Sequence, residues 1–148
     1  MGIVDTLDRE IISVVLADGR ATYAKIGGRV GLSVAATKRR LDRLVSTGVI
    51  RGFTATVDPV VLGWEIEAYV QTYTSGIVPF EQMRRGLEPI AEIVEAATVA
   101  GTADALLHVV ASDMSHLERA ISRIRAVDRI ERTDATLVLT RLISRPMI

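Results

Sequence analysis

Gly31-Leu32-Ser33-Val34-Ala35-Ala36-Thr37-Lys38-Arg39-Arg40-Leu41-Asp42-Arg43-Leu44 is the stretch on which the fold turns. Gly31 and Leu32 make a tight turn and Ser33 has the side chain of a helix N-cap. A helix then runs from Val34 to about Thr47, where Gly48 stops it. At roughly 100° per residue, Thr37, Leu41 and Leu44 fall on one stripe, the expected core face. Opposite that stripe lie Ala35, Arg39, Asp42 and Arg43, with Lys38 on a flank and Arg40 nearer the core edge. A small residue early and cations later suit a helix that enters the major groove of DNA. A solvated basic face has the same composition, so this helix alone leaves both readings open.

Working back towards the N-terminus, Thr22 caps a second helix that runs to Val30, with Ile26 and Val30 four apart. Gly27 and Gly28 stand side by side in it, each costing roughly 1 kcal/mol in a helix interior. Gly27 falls on the inner face, where another helix can approach closely; Gly28 has no such reason. Asp5 or Thr6 caps a first helix that carries Leu7, Ile11, Val14 and Val15 at helical spacing and ends at Asp18-Gly19. Two helices joined by a short turn containing glycine form a helix-turn-helix pattern. Forward of the third helix, Val49–Val57 is rich in β-branched residues and is expected to form a hairpin turning near Arg51-Gly52. A helix-turn-helix with a hairpin is a winged helix, and Arg51 would contact phosphate from the wing.

After Asp58-Pro59 the pattern changes. Val60-Val61-Leu62-Gly63 reads as a linker, and residues 66–74 as a strand. Pro79 opens a helix with Phe80, Met83 and Leu87 at helical spacing. Ile90–Val99 and Ala105–Ala111 read as strands, Ser112-Asp113 caps a helix with Met114, Leu117, Ile121 and Ile124 on one stripe, and Arg129–Leu142 reads as a last strand. The order βαββαβ is the ferredoxin-like arrangement, a four-stranded sheet with two helices on one face. The expected class is therefore α+β. A winged helix-turn-helix domain (1–58) and a linker or hinge (59–65) precede a ferredoxin-like α/β sandwich (66–148). The sheet face without helices calls for a second copy, so at least a dimer is expected.

Composition bounds the chemistry. The 148 residues are 49% hydrophobic, 24% charged and only 4% aromatic, normal for a globular chain with aliphatic cores. There is no cysteine, which excludes thiol catalysis, disulfides and thiolate metal sites. No apolar run approaches the ~20 residues that span a bilayer, and Asp5 and Asp8 spoil a signal peptide, so a cytoplasmic protein is expected. The zero net charge hides a balance of +3 in residues 1–58 and −3 in residues 59–148. That asymmetry hints that the first half faces a polyanion. His108 and His116 lack a ligand set around them, so no metal is expected; Asp113 is explained as an N-cap, and no constellation supports catalysis. Gly101-Thr102-Ala103-Asp104 is a loop between strands whose hydroxyl and carboxylate could hold a small molecule, although a plain polar turn has the same residues.

With both halves read, the chain resembles the Lrp/AsnC family, the feast/famine regulators. The resemblance rests on Leu7-Asp8, Asp18-Gly19-Arg20, Gly31-Leu32-Ser33, Arg40, Arg43-Leu44, Gly48-Val49-Ile50 and Gly52-Phe53. In the second half Gly101, Asp104 and Leu106 match the family's Gly-x-x-Asp-x-Leu motif, and Asp113-Met114 its helix cap. The resemblance implies a regulator that binds double-stranded DNA through Ser33, Ala35, Lys38, Arg39, Arg40, Arg43 and Arg51. It implies a C-terminal domain that dimerises and assembles further, often to octamers. It also implies an amino-acid effector held between subunits at Gly101, Thr102, Ala103 and Asp104, with no other cofactor. Two departures bear on function. Ala103 and Ala105 stand where family members often carry aromatic residues, which points to a roomier pocket for a larger side chain. The third helix offers no Asn or Gln to read adenine, which points to modest base specificity supplemented by DNA shape. An architectural protein that wraps DNA with little sequence preference is the alternative, and a sensing subunit whose basic helix binds another protein is a third reading.

Overall fold

The computed structural model describes residues 4–143; the outer ends of both expected domains, residues 1–3 and 144–148, lie outside it. The chain divides into two compact units, one ending at Thr56 and the other spanning Val57–Ile143.

The first unit holds α1 (Thr6–Ala17), α2 (Tyr23–Val30) and α3 (Val34–Ser46). Each begins at a side chain that accepts from an orphan amide of the first turn: Asp5 from Asp8, Thr22 from Lys25, Ser33 from Ala36. Ile11, Val14, Ile26, Val30, Leu41 and Leu44 form the apolar core, and Thr37 is fully buried beside them. The α2–α3 turn is closed by Gly31 in the left-handed region, φ 70°. Gly27 has the role its position suggested, since a Cβ there would lie 2.5 Å from the Leu32 carbonyl oxygen and 2.8 Å from Thr37 Oγ1. Around Gly28 there is open space, and nothing in the fold explains that glycine.

The hairpin expected at Val49–Val57 is not formed. Residues 51–58 take part in no ladder, and Phe53 and Val57 stand about half exposed. An isolated two-stranded hairpin is marginal in water, and among the described residues no other strand of the unit pairs with this segment. The first part of the expected linker, Pro59–Leu62, is a single 3-10 turn capped by Asp58.

The second unit is the βαββαβ sandwich. It comprises β1 (Ile66–Thr74), α4 (Phe80–Leu87), β2 (Ile93–Thr98), β3 (Ala105–Ala111), α5 (Met114–Arg125) and β4 (Ile130–Leu137). The sheet order is β2-β3-β1-β4, every pair antiparallel. Alternation sends Ala68, Val70, Leu107 and Val109 into the core with Leu87, Leu117, Ala120 and Ile124 of the helices. Two strands are shorter than expected. Residues 90–92 are held in a turn by Ile90 N–H to Leu87 O and Ile93 N–H to Ile90 O. β4 ends at Leu137, opposite Ala68, because its neighbour β1 begins only two residues earlier in that direction. Phe80 and Met114, expected on inner stripes, are exposed at 75% and 49%.

A buried ionic cluster sits at the edge of this core. Glu92, 7% exposed, faces His116 Nε2 at 3.0 Å and accepts from Arg123 Nη1 at 3.0 and 2.9 Å on its two oxygens. His116 Nδ1 meets Ser112, and Trp64 lies over the ring at 6.0 Å.

Candidate nucleic-acid interface and effector loop

Helix α3 presents its cations unequally. Arg39 and Arg51 are exposed and make no ion pair among the described residues. Lys38 is exposed but joined to Asp42 one turn later, and that carboxylate raises its pKa. Such surface pairs are weak and break readily. Arg40 and Arg43 are committed elsewhere. Arg40 Nη1 donates to Asp5 Oδ2 at 2.6 Å and Asp8 Oδ1 at 2.9 Å, while Arg43 Nη2 donates to Asp8 Oδ2. Arg43, placed by helical arithmetic on the outer face, lies on the same flank as Arg40 one turn along. Its long stem lets the head reach back to α1 while about half the side chain stays in water. Ser33 serves as the α3 N-cap, and Ala35 is exposed beside it, so the start of the helix is unobstructed.

In the sequence, Asp8 enters only through the Leu7-Asp8 match and as a charge that spoils a signal peptide, and its burial was missed. The signal was present, because Asp8 precedes the core residue Ile11 by three positions and so shares its face.

In the second unit, the loop between β2 and β3 is organised by Asp104. Its amide donates to Thr72 O at 2.9 Å and its carbonyl accepts from Val99 N–H at 3.2 Å. Its Oδ2 accepts from Thr74 N–H at 2.7 Å, and no hydrogen bond reaches Oδ1 among the described residues. Asp104 lines a depression together with Thr74, Ile77, Phe80, Met83 and Val99. Gly101 and Thr102 are exposed outside this lining, and Ala103 is buried behind it. Ala105 lines an adjoining apolar groove between α4 and β2 that shares Phe80, Met83 and Thr98 with the first depression.

Residues 67–148 match the Lrp/AsnC ligand binding domain, and residues 4–51 match a winged helix-turn-helix DNA-binding domain. The chain belongs to the Lrp/AsnC family. It is an Lrp/AsnC-type transcriptional regulator with a helix-turn-helix DNA-binding domain and a ligand-binding domain. Among its relatives, the HTH-type transcriptional regulator Rv2324 of Mycobacterium tuberculosis is 49% identical over 96% of each chain. LrpA of the same organism is 33% identical over 95% of this chain and 93% of its own. Among solved structures, the M. tuberculosis feast or famine regulatory protein Rv3291c complexed with L-methionine superposes with a TM-score of 0.89. It is 32% identical and covers 96% of both chains. Escherichia coli AsnC, 24% identical over 99% of both, shares the Lrp/AsnC fold with a TM-score of 0.90. The helix-turn-helix match ends at Arg51, a few residues after α3 stops at Ser46.

Proposed function

We propose that this Lrp/AsnC regulator binds preferred DNA sites through α3 and responds to an amino acid held at the Asp104 depression, with a second copy of the chain completing the assembly. The observation that carries the DNA reading is the exposed face from Ala35 to Arg39, whose guanidinium has no partner among the described residues. Ser33, Ala35, Lys38 and Arg39 lead the contact set, with Arg51 on phosphate. Arg40 and Arg43, also expected in this set from the sequence, are left out of it because Asp5 and Asp8 already hold them.

For the effector, the free carboxylate oxygen of Asp104 suits an α-ammonium group; Thr74, at the end of β1, lines the same depression, and Gly101-Thr102 stand beside it in the loop. The small Ala105 leaves the adjoining apolar groove open to a side chain longer than alanine's. The relative solved with L-methionine supports that class. For the second copy, the support is the sheet face that bears Tyr69, Tyr73, Leu106, His108 and Val110, opposite the two helices. There Tyr69 stacks on His108 at 5.0 Å between ring centroids. Assembly beyond the dimer, towards an octamer, is the expectation the family carries.

The test is light scattering coupled to gel filtration with each of the twenty amino acids, followed by DNA binding from about 50 to 200 mM salt. A change of mass or DNA affinity with methionine or a similar apolar amino acid supports the reading. Tight binding of only the smallest amino acids would contradict the roomy pocket. The architectural alternative has one observation in its favour, the lack of Asn or Gln on the outward face of α3. Equal affinity for selected and random duplexes would favour it.

A further inference from the structure

Among the described residues of the first unit, Asp8 is the only charged side chain that is fully buried. Both its oxygens are occupied. Oδ1 accepts from Arg40, while Oδ2 accepts from Arg43 and from the Asp5 amide at 3.2 Å. Asp5 completes the ring, since its Oδ1 accepts from the Asp8 amide at 2.8 Å and its Oδ2 from Arg40 at 2.6 Å. Asp5 and Asp8 are the cap and first turn of α1, while Arg40 lies at the middle of α3 and Arg43 one turn on, in its last turn. Four side chains therefore tie the start of one helix to the second half of the other. Two carboxylates meet two guanidinia, so the cluster as a whole carries no net charge.

We propose that Asp8 is a positioning residue for the recognition helix. Through Arg40 and Arg43 it fixes the rotation of α3 and withholds two cations from DNA, so that discrimination among sequences rests on the Ala35–Arg39 face. The inference rests on the DNA-binding reading given above and deepens it.

Two physical consequences follow from the geometry. Bidentate contacts to a base edge tolerate little misplacement, so a helix free to roll about its axis would lose base readout before it lost phosphate attraction. Cations that are available to phosphates strengthen binding to every sequence alike, so neutralising two of them lowers random binding and widens the margin for the preferred site. Apolar packing at Leu41 and Leu44 holds α3 against the core, but it supplies no directional restraint of this kind.

The experiment uses the full chain and two duplexes, one selected from a randomised pool and one of random sequence, across a salt series, with thermal melts alongside. Arg43→Gln is expected to lower the selected-to-random affinity ratio about tenfold while leaving the salt slope unchanged. Asp8→Asn is expected to lower the same ratio and to steepen the salt slope by about one, as a released guanidinium finds phosphate. Random-sequence binding then tightens severalfold. A slope that flattens by about one in Arg43→Gln would make Arg43 itself a phosphate contact and overturn the proposal. So would lower melting temperatures with an unchanged ratio and slope, the outcome of a purely structural role. If Asp8→Asn does not fold, Asp5→Asn, at a carboxylate 46% exposed, tests the same cluster through Arg40. It is expected to steepen the slope by less, and an unchanged slope would overturn the proposal. Wild-type protein that shows no salt-dependent DNA binding would remove the underlying reading itself, and that result precedes any comparison of variants.

Discussion

The first unit packs six aliphatic side chains and ties the start of α1 to α3 with a buried carboxylate held by two guanidinia. The second packs thirteen apolar side chains between a sheet and two helices, with its ionic cluster at the border of the core. The difference follows from layer geometry. A sheet with helices on one face buries two whole surfaces against each other, and alternation supplies the apolar residues automatically. Three short helices bury only a stripe each, so directional polar contacts have more to decide about how they sit. The sheet domain is thus held mainly by area, and the helical domain by area plus a few specific ties.

The largest expected effect tests the sheet side. Leu107 is fully buried on the central strand β3, and Leu107→Ala should cost about 4 kcal/mol of stability by chemical denaturation. A loss under about 1 kcal/mol would mean the site collapses around the gap, and that the sandwich is looser than its burial implies. Next comes Asp8→Ala, which leaves Arg40 and Arg43 without their carboxylate. Breaking a buried pair costs about 3 kcal/mol, at the low end of the usual range because Arg43 can turn to water. If the measured cost approached zero, the helical unit would be held by its aliphatic core alone, and the contrast between the two units would vanish.

A smaller pair of substitutions sharpens the contrast inside α2. Gly27→Ala should destabilise by about 2 kcal/mol, because the new methyl meets a backbone oxygen that cannot swing aside. Gly28→Ala meets open space and should stabilise by about 1 kcal/mol through helix propensity. Thermal melts of the two variants should move in opposite directions. This pair also marks how far the sequence could be read. The inner position of Gly27 was visible in helical spacing, as were all five helices, the N-caps Thr22 and Ser33, and the bounds of β1 and β3, whereas the first cap stayed open between Asp5 and Thr6. Spacing could not show that Leu32 and Thr37 are what Gly27 admits, because those contacts come from the turn between helices.

Several of the unread parts depend on a partner distant in the chain. Asp8 meets residues 32 and 35 positions away. Glu92 meets Arg123 across 31 positions, and β4 stops where β1 runs out. The hairpin expected at Val49–Val57 failed in the same way. Its β-branched residues favour extended backbone, but a strand also needs a neighbour, and local composition does not reveal one. The site was legible to the same extent. The Asp104 loop could be located from its motif, but the participation of Phe80 and Met83, more than twenty positions away, could not.

The smallest predicted effect concerns acid. Burial pushes the Glu92 carboxyl up, the largest single influence on it. Its own amide, the hydrogen bond with His116 and the Arg123 charge together outweigh that push, and the net position is below the usual 4.5. A carboxyl whose native pKa is lowered binds its proton more readily in the unfolded chain. Its contribution is therefore complete above the unfolded value, and is lost as pH falls through the lower native one. Urea denaturation across that window should show an acid limb that Glu92→Gln makes shallower. In the first unit Arg40 beside Asp5, with the Asp8 amide, holds the Asp5 carboxyl low as well, so Asp5→Asn should act on the same limb. Asp5 is about half exposed, however, and water screens its partner, so its share should be the lesser. If Asp5→Asn flattened the limb more than Glu92→Gln did, the acid sensitivity would belong to the helical unit. Low pH would then loosen the clamp on α3 before it touched the sheet domain, and DNA discrimination would fail earlier than folding of the second unit.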